Sequence, residues 1–92
     1  MNFKSGLAQY ISQFAWSVRG GTPSAAYSMY LSKISESLMD TDESESRSEA
    51  LRRLNKVDRY QDIYIQDPKG SKEGIAKEID ELAAYVESVG IA

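Results

Sequence analysis

The chain has 92 residues, 41% of them hydrophobic, with 11 cationic and 14 anionic side chains, a net charge of −3, and neither histidine nor cysteine. Those absences exclude the commonest general acid/base, the commonest nitrogen metal ligand, the thiolate nucleophile and every disulfide. The apolar runs are far too short to span a bilayer, and a chain of this length, read as a single domain over residues 1–92, must collect most of its apolar side chains into one core.

In the first block, Phe3, Leu7, Tyr10, Ile11, Phe14 and Val18 recur at the three-and-four spacing of an amphipathic helix. Gly20 and Gly21 end it, because glycine accepts the left-handed conformation that closes a helix. At 100° per residue Trp16 falls nearly opposite the core stripe, beside Ser5, Gln9, Ser12 and Gln13. Two readings follow. Tryptophan is highly buried on average, so the favoured expectation is that Trp16 packs between two neighbouring helices. The competing one is a binding anchor, since an indole on an uncharged polar face offers large area and little charge to desolvate.

Thr22 and Pro23 restart the chain, the threonine as a cap and the proline at the first helical position. A second helix is expected from about Pro23 to Met39, with Tyr27, Leu31, Ile34 and Leu38 on its core face and Tyr30 at the edge. Met29 is a further candidate anchor for a partner. Asp40 to Ser46 has no apolar residue and reads as a solvated loop whose carboxylates favour the start of the next helix. It fails as a calcium loop: counted from Asp40, the sixth position is Glu45 where glycine is needed, and the twelfth is Leu51 where glutamate is needed.

The third helix places Leu51, Leu54, Val57, Gln61 and Tyr64 on its core side. Arg52, Lys56 and Arg59 recur at i, i+4 and i+7, with Arg53 and Tyr60 on the flank. Cations at this spacing beside an aromatic could follow phosphates or hold an acidic protein surface. The plainer expectation, favoured here, is a solvated face with intrahelical pairs, because Glu49 lies four residues before Arg53. Ile63-Tyr64-Ile65 alternates and is β-branched enough for a short extended piece. Asp67-Pro68-Lys69-Gly70 then reads as a turn, and Ser71 as the cap of a last helix with Ile75, Ile79, Leu82, Val86 and Val89 inward and Gly90 at its end.

Short connections favour antiparallel neighbours, so the expected fold is all-α, a small four-helix up-and-down bundle. The alternative is three helices plus a short extended segment near 62–66. No signal-like apolar run occupies Met1 to Gly6, and the lack of cysteine gives no sign of an oxidising compartment, so a cytoplasmic location is the expectation.

Charge is laid out in blocks. Residues 1–35 carry no carboxylate, residues 36–49 six against Arg47 alone, residues 52–59 are basic, and the last fifteen are acidic. No phosphate-binding glycine loop and no nucleophile elbow is present, and the carboxylates lie in loops and on polar faces where burial does not raise their pKa. No enzyme activity, cofactor or metal is therefore expected.

Residues 22–34, a Thr-led helix with Tyr27 and Leu31, are similar to a helix of the SAM-like core-binding modules of tyrosine recombinases. The resemblance implies an all-helical fold and DNA contact through helix two and the basic stripe. Helix two itself offers Lys33 alone, ahead of Glu36 and Asp40, and no recombinase catalytic segment accompanies it in these 92 residues. In general character the chain also resembles small phage-encoded inhibitors of host machinery, including anti-CRISPR proteins, which are short, acidic and without catalytic residues. That likeness implies a non-enzymatic protein-binding module that blocks a larger complex, with Trp16, Gln9, Gln13 and Met29 as its contacts. The alternative is a helical nucleic-acid-binding module using Arg52, Arg53, Lys56, Arg59 and Tyr60.

Overall fold

The computed structural model describes residues 6–91, all of whose regular structure is helical. Phe3, counted on the core stripe of the first helix, lies outside the described residues. The elements are α1 (Gly6–Gly20), α2 (Ser24–Met39), α3 (Glu45–Arg59), α4 (Gln61–Gln66) and α5 (Pro68–Ser88). Only Tyr60 separates α3 from α4, so the two act as one interrupted helix and the molecule is a four-helix up-and-down bundle. Around the ring α1 packs on α2, α2 on α3, α3 on α5, and α5 back on α1 in the most extensive pairing of the fold.

The predicted stripes become the core. Leu7, Ile11, Phe14 and Val18 of α1 meet Tyr27, Leu31, Ile34 and Leu38 of α2, Leu54 and Val57 of α3, and Ile75, Ile79, Leu82 and Val86 of α5. Ala8 and Ala15 on α1, with Ala76 and Ala83 on α5, are buried too. Side chains this small let two helix backbones approach closely, which accounts for the tight α1–α5 pairing. Where α1 ends and α5 begins, Arg19 bridges Asp80 (2.9 Å) and Glu73 (3.2 Å), which fixes their antiparallel sense.

Aromatic rings join the other helices. Phe14 stacks on Tyr30 at 4.8 Å and meets Tyr27 edge-on at 5.0 Å, and Tyr27 leans on Tyr64 at 5.4 Å. Two of these tyrosines bury hydroxyls that need partners. The Tyr27 hydroxyl donates to the Val57 carbonyl at 2.7 Å, and the Tyr64 hydroxyl to the Val18 carbonyl at 3.1 Å. The first of these inserts a side chain into the ladder of α3 one turn before Tyr60, a known cause of helix interruption. Tyr60 itself, at φ −80° and ψ −8°, makes the tight i→i−3 bond to Val57.

The extended alternative for residues 62–66 is corrected by this arrangement. The segment is α4, whose backbone bonds run from Tyr64 to Tyr60 and from Asp67 to Ile63. Once Tyr64 points inward to the core, the flanking isoleucines point out: Ile63 and Ile65 are 52% and 51% exposed. The alternation was real, but helical geometry satisfies it over so short a stretch.

Smaller expectations are also corrected. Thr22 does not cap α2; Pro23 is the N-cap, and the buried Thr22 hydroxyl instead donates to Ser17 Oγ at 2.7 Å. Asp67-Pro68-Lys69-Gly70 is the first turn of α5 rather than a turn before it, because Asp67 accepts from the Gly70 amide and Pro68 suits the first position. Ser71, proposed as that cap, donates to the Asp67 carbonyl from inside the helix. Val89 leaves the core, 38% exposed beyond the end of α5, and Gln61 is half-buried, its amide reaching Ser24 and Ser28 of α2. Gly21 (φ +97°) and Gly90 (φ +76°) take the left-handed conformation that closes α1 and α5, as their positions predict.

Candidate protein-binding face

α1 buries one face against α2 and α5 and leaves its opposite face free. Along that free face run Gly6, Gln9, Gln13, Trp16 and Gly20, all exposed and none charged. Trp16 is 77% exposed. This corrects the favoured expectation that the indole packs between helices: α1 buries Leu7, Ala8, Ile11, Phe14, Ala15 and Val18, and position 16 lies on the other side of the helix. Arg19, the one charged residue of α1, is turned toward α5, where the hydrogen bonds it donates to Asp80 and then Glu73 hold its pKa above the ordinary value.

Beside Trp16 is a shallow hollow of about 530 Å³, walled by Ser17, Arg19 and the Gly20–Pro23 connection. A second, of about 270 Å³, shares Gly21 and Thr22 with it and continues to Tyr64, Ile65 and Pro68. Trp16 on α1 and Ile65 on α4 thus flank the same loop. The structure brings Gln9, Gln13 and Trp16 together on α1. Met29 is 52% exposed but stands on the outward face of α2, outside both hollows.

Ile63, which continues the line of the basic stripe, is exposed, and so is Ile65, which the sequence reading did not single out. Ile63 borders a further hollow with Tyr60, Gly70, Ser71, Gly74, Ile75 and Glu78. A Cβ added at Gly74 would meet nothing within 4 Å, so this glycine leaves the wall open.

The basic stripe is largely occupied. Arg52 grips Glu49 through Nε and Nη2 at 2.7–3.0 Å, and this pairing holds the Glu49 carboxyl below its ordinary pKa. Arg53 lies over the Tyr85 ring at 4.8 Å, with Glu49 3.8 Å from its Nε. Lys56 reaches Glu78 of α5 at 3.3 Å. Among the described residues only Arg59 of the four stripe cations has no ion pair, and Tyr60 is half-buried against the core. The plainer reading of this face, a paired and solvated one, is what the geometry supports.

Two buried or half-buried phenols are also shifted. Tyr27 is pushed upward by burial and then by the nearby Asp58 charge, and Tyr10 upward by burial and then by Tyr30, both as core or near-core phenols. Among the described residues no group of three or more carboxylates is placed to hold a metal, and no helix is long and apolar enough to cross a membrane. Comparison with protein-family models, with curated proteins and with solved structures finds no match for this chain.

Proposed function

We propose that this protein is a non-enzymatic binding module that acts by seating the Trp16 face of α1 on a larger protein. The observation that carries the reading is Trp16 itself, 77% exposed on a helix face with no charged residue. An exposed indole costs hydration in the free protein, while its burial in a partner releases large apolar area at low conformational cost. Gln9 and Gln13 flank it with donors and acceptors that need no counter-ion on docking. In its narrower form the proposal is an inhibitor of the phage-encoded, anti-CRISPR type, supported by general character alone: short, acidic, and without a reaction centre.

The test is Trp16→Ala. Truncating a binding hot spot costs about 2 kcal/mol or more, roughly thirtyfold in Kd, whereas an exposed substitution changes folding stability by less than ~0.5 kcal/mol. The variant should therefore lose a partner captured stoichiometrically by the wild type while keeping its thermal midpoint. Capture of the same partner at equal affinity would refute the reading. The inhibitor form is checked by plating a CRISPR-targeted phage on a host expressing the chain, where restored plaques are expected from the wild type and not from Trp16→Ala.

A further inference from the structure

Between α2 and α3 lies an open groove of about 520 Å³ whose floor is the buried pair Leu31 and Leu54. One wall is a row of hydroxyls, Ser28, Ser32 and Ser35, at i, i+4 and i+7 on α2. Side chains this short leave the space between the two helices unfilled. Asn55 and Asp58 of α3 make the opposite wall. At one end Gln61 crosses the seam and closes it, donating to Ser28 Oγ at 2.8 Å and to the Ser24 carbonyl at 3.2 Å. Asp58 stands one turn from Gln61, near this closed end. Glu36 stands toward the other end, eight residues along α2 from Ser28, a rise of about 12 Å.

Charge sets this seam apart from its neighbours. Arg19 holds Glu73 and Asp80 between α1 and α5, and Lys56 holds Glu78 between α3 and α5. Those seams balance their charges within the chain. The α2–α3 groove is lined by Glu36 and Asp58 and, among the described residues, by no cation. Neither carboxylate has an ion pair among the described residues. Lys33 shares the adjoining hollow with Glu36 and Asp40 without pairing to either. The Asp58 charge is felt beneath the groove, where it adds to burial in raising the pKa of the Tyr27 phenol.

Two separated negative charges, hydrogen-bond acceptors between them and an apolar floor are complementary to ammonium groups joined by methylenes. An ammonium brings three donors and needs acceptors, and methylene stems lie along apolar surface while their charged heads stay in water. The groove volume is in the range of small-molecule sites. We infer that the α2–α3 groove binds a linear aliphatic polyamine, with its ammonium groups on Asp58 and Glu36 and its methylenes over Leu31 and Leu54. A compact metal ion reaches one of these carboxylates at a time, whereas an extended polyamine spans both. Because the groove is open to water, binding is weak and falls as salt rises. The Trp16 face contributes no residue to this groove, so the polyamine and a protein seated on Trp16 can bind together.

The experiment is an amide NMR titration of the full chain with spermidine, against butylamine and magnesium chloride at equal ionic strength. Spermidine should give saturable shifts centred on Ser32, Ser35, Asn55 and Asp58, and the two controls should not. Glu36→Gln and Asp58→Asn should each weaken binding roughly fivefold. Glu87→Gln removes the same charge from an exposed site outside the groove and should leave the affinity unchanged. Ser32→Met fills the groove without altering charge and should abolish the saturable response; Ser32 is exposed, so the thermal midpoint should hold. The inference is overturned by shifts that never saturate, by magnesium producing the same shifts, or by Glu87→Gln weakening binding as much as Glu36→Gln. A lysine-rich peptide that saturates the groove where spermidine does not overturns it as well, since the occupant would then be a protein segment.

Discussion

At the scale of single residues, the decisive contrast is between Phe14 and Trp16, two positions apart on α1. Phe14 is fully buried between Tyr27 and Tyr30, whereas Trp16 faces solvent. Phe14→Ala should cost about 3–5 kcal/mol through lost burial and a residual cavity, lowering the thermal midpoint or unfolding a domain of this size outright. Glu49 supplies a second residue-level prediction. Its pKa is lowered by the Arg52 hydrogen bond, so its contribution to stability is present above the ordinary carboxylate pKa and is lost as pH falls through the depressed value. An NMR titration should find Glu49 ionising below the ordinary carboxylate range, and Arg52→Gln should return it toward that range. The same pair occupies the Arg52 guanidinium. Glu49→Gln should raise retention on a phosphate-bearing column at low salt, because it frees Arg52 and removes one negative charge beside Arg53.

At the scale of elements, the break between α3 and α4 lies one turn after a carbonyl bound by a side chain of another helix. Tyr27 is 30 residues away from the carbonyl it binds on α3, and that bond lies one turn before the interruption at Tyr60. Tyr27→Phe keeps the ring and removes the hydroxyl, so it should cost about 1 kcal/mol, a drop of roughly 4–8 °C in thermal midpoint for a domain of this length. Amide exchange at residues 60–64 should change with it, and unchanged exchange there would separate the interruption from the hydroxyl. The phenol also carries a pH dependence. Because burial raises its pKa above 10.0, its stabilisation is complete below that value and declines as pH rises beyond it, a decline that Tyr27→Phe should remove. Between α1 and α5 the limit is volume: Ala15→Leu should destabilise by about 1–3 kcal/mol by forcing the closest helix pair apart.

At the scale of the whole molecule, periodicity made most of the fold legible. The core faces of α1, α2, α3 and α5 were visible as three-and-four spacing, and the chain breaks as Gly20-Gly21, the acidic-serine loop and Pro68. These signals are local, because burial on one face of a helix imposes its period on the residues of that helix alone. Caps were less legible: Thr22, Asp67 and Ser71 all have capping chemistry, and neighbouring contacts decided which of them used it. The segment 62–66 kept an extended alternative open because five residues cannot distinguish a strand from a helix whose one buried residue sits between two exposed ones. Sequence by itself thus determined the helical class, the core stripes and the lack of histidine and cysteine chemistry. Only tertiary structure decided that Trp16 stands in solvent, that Ile65 flanks the same loop, that Arg53 lies over Tyr85 and that Lys56 reaches Glu78. The reason is that a helical wheel gives a direction about one axis, and whether that direction meets protein or water depends on where the other helices lie.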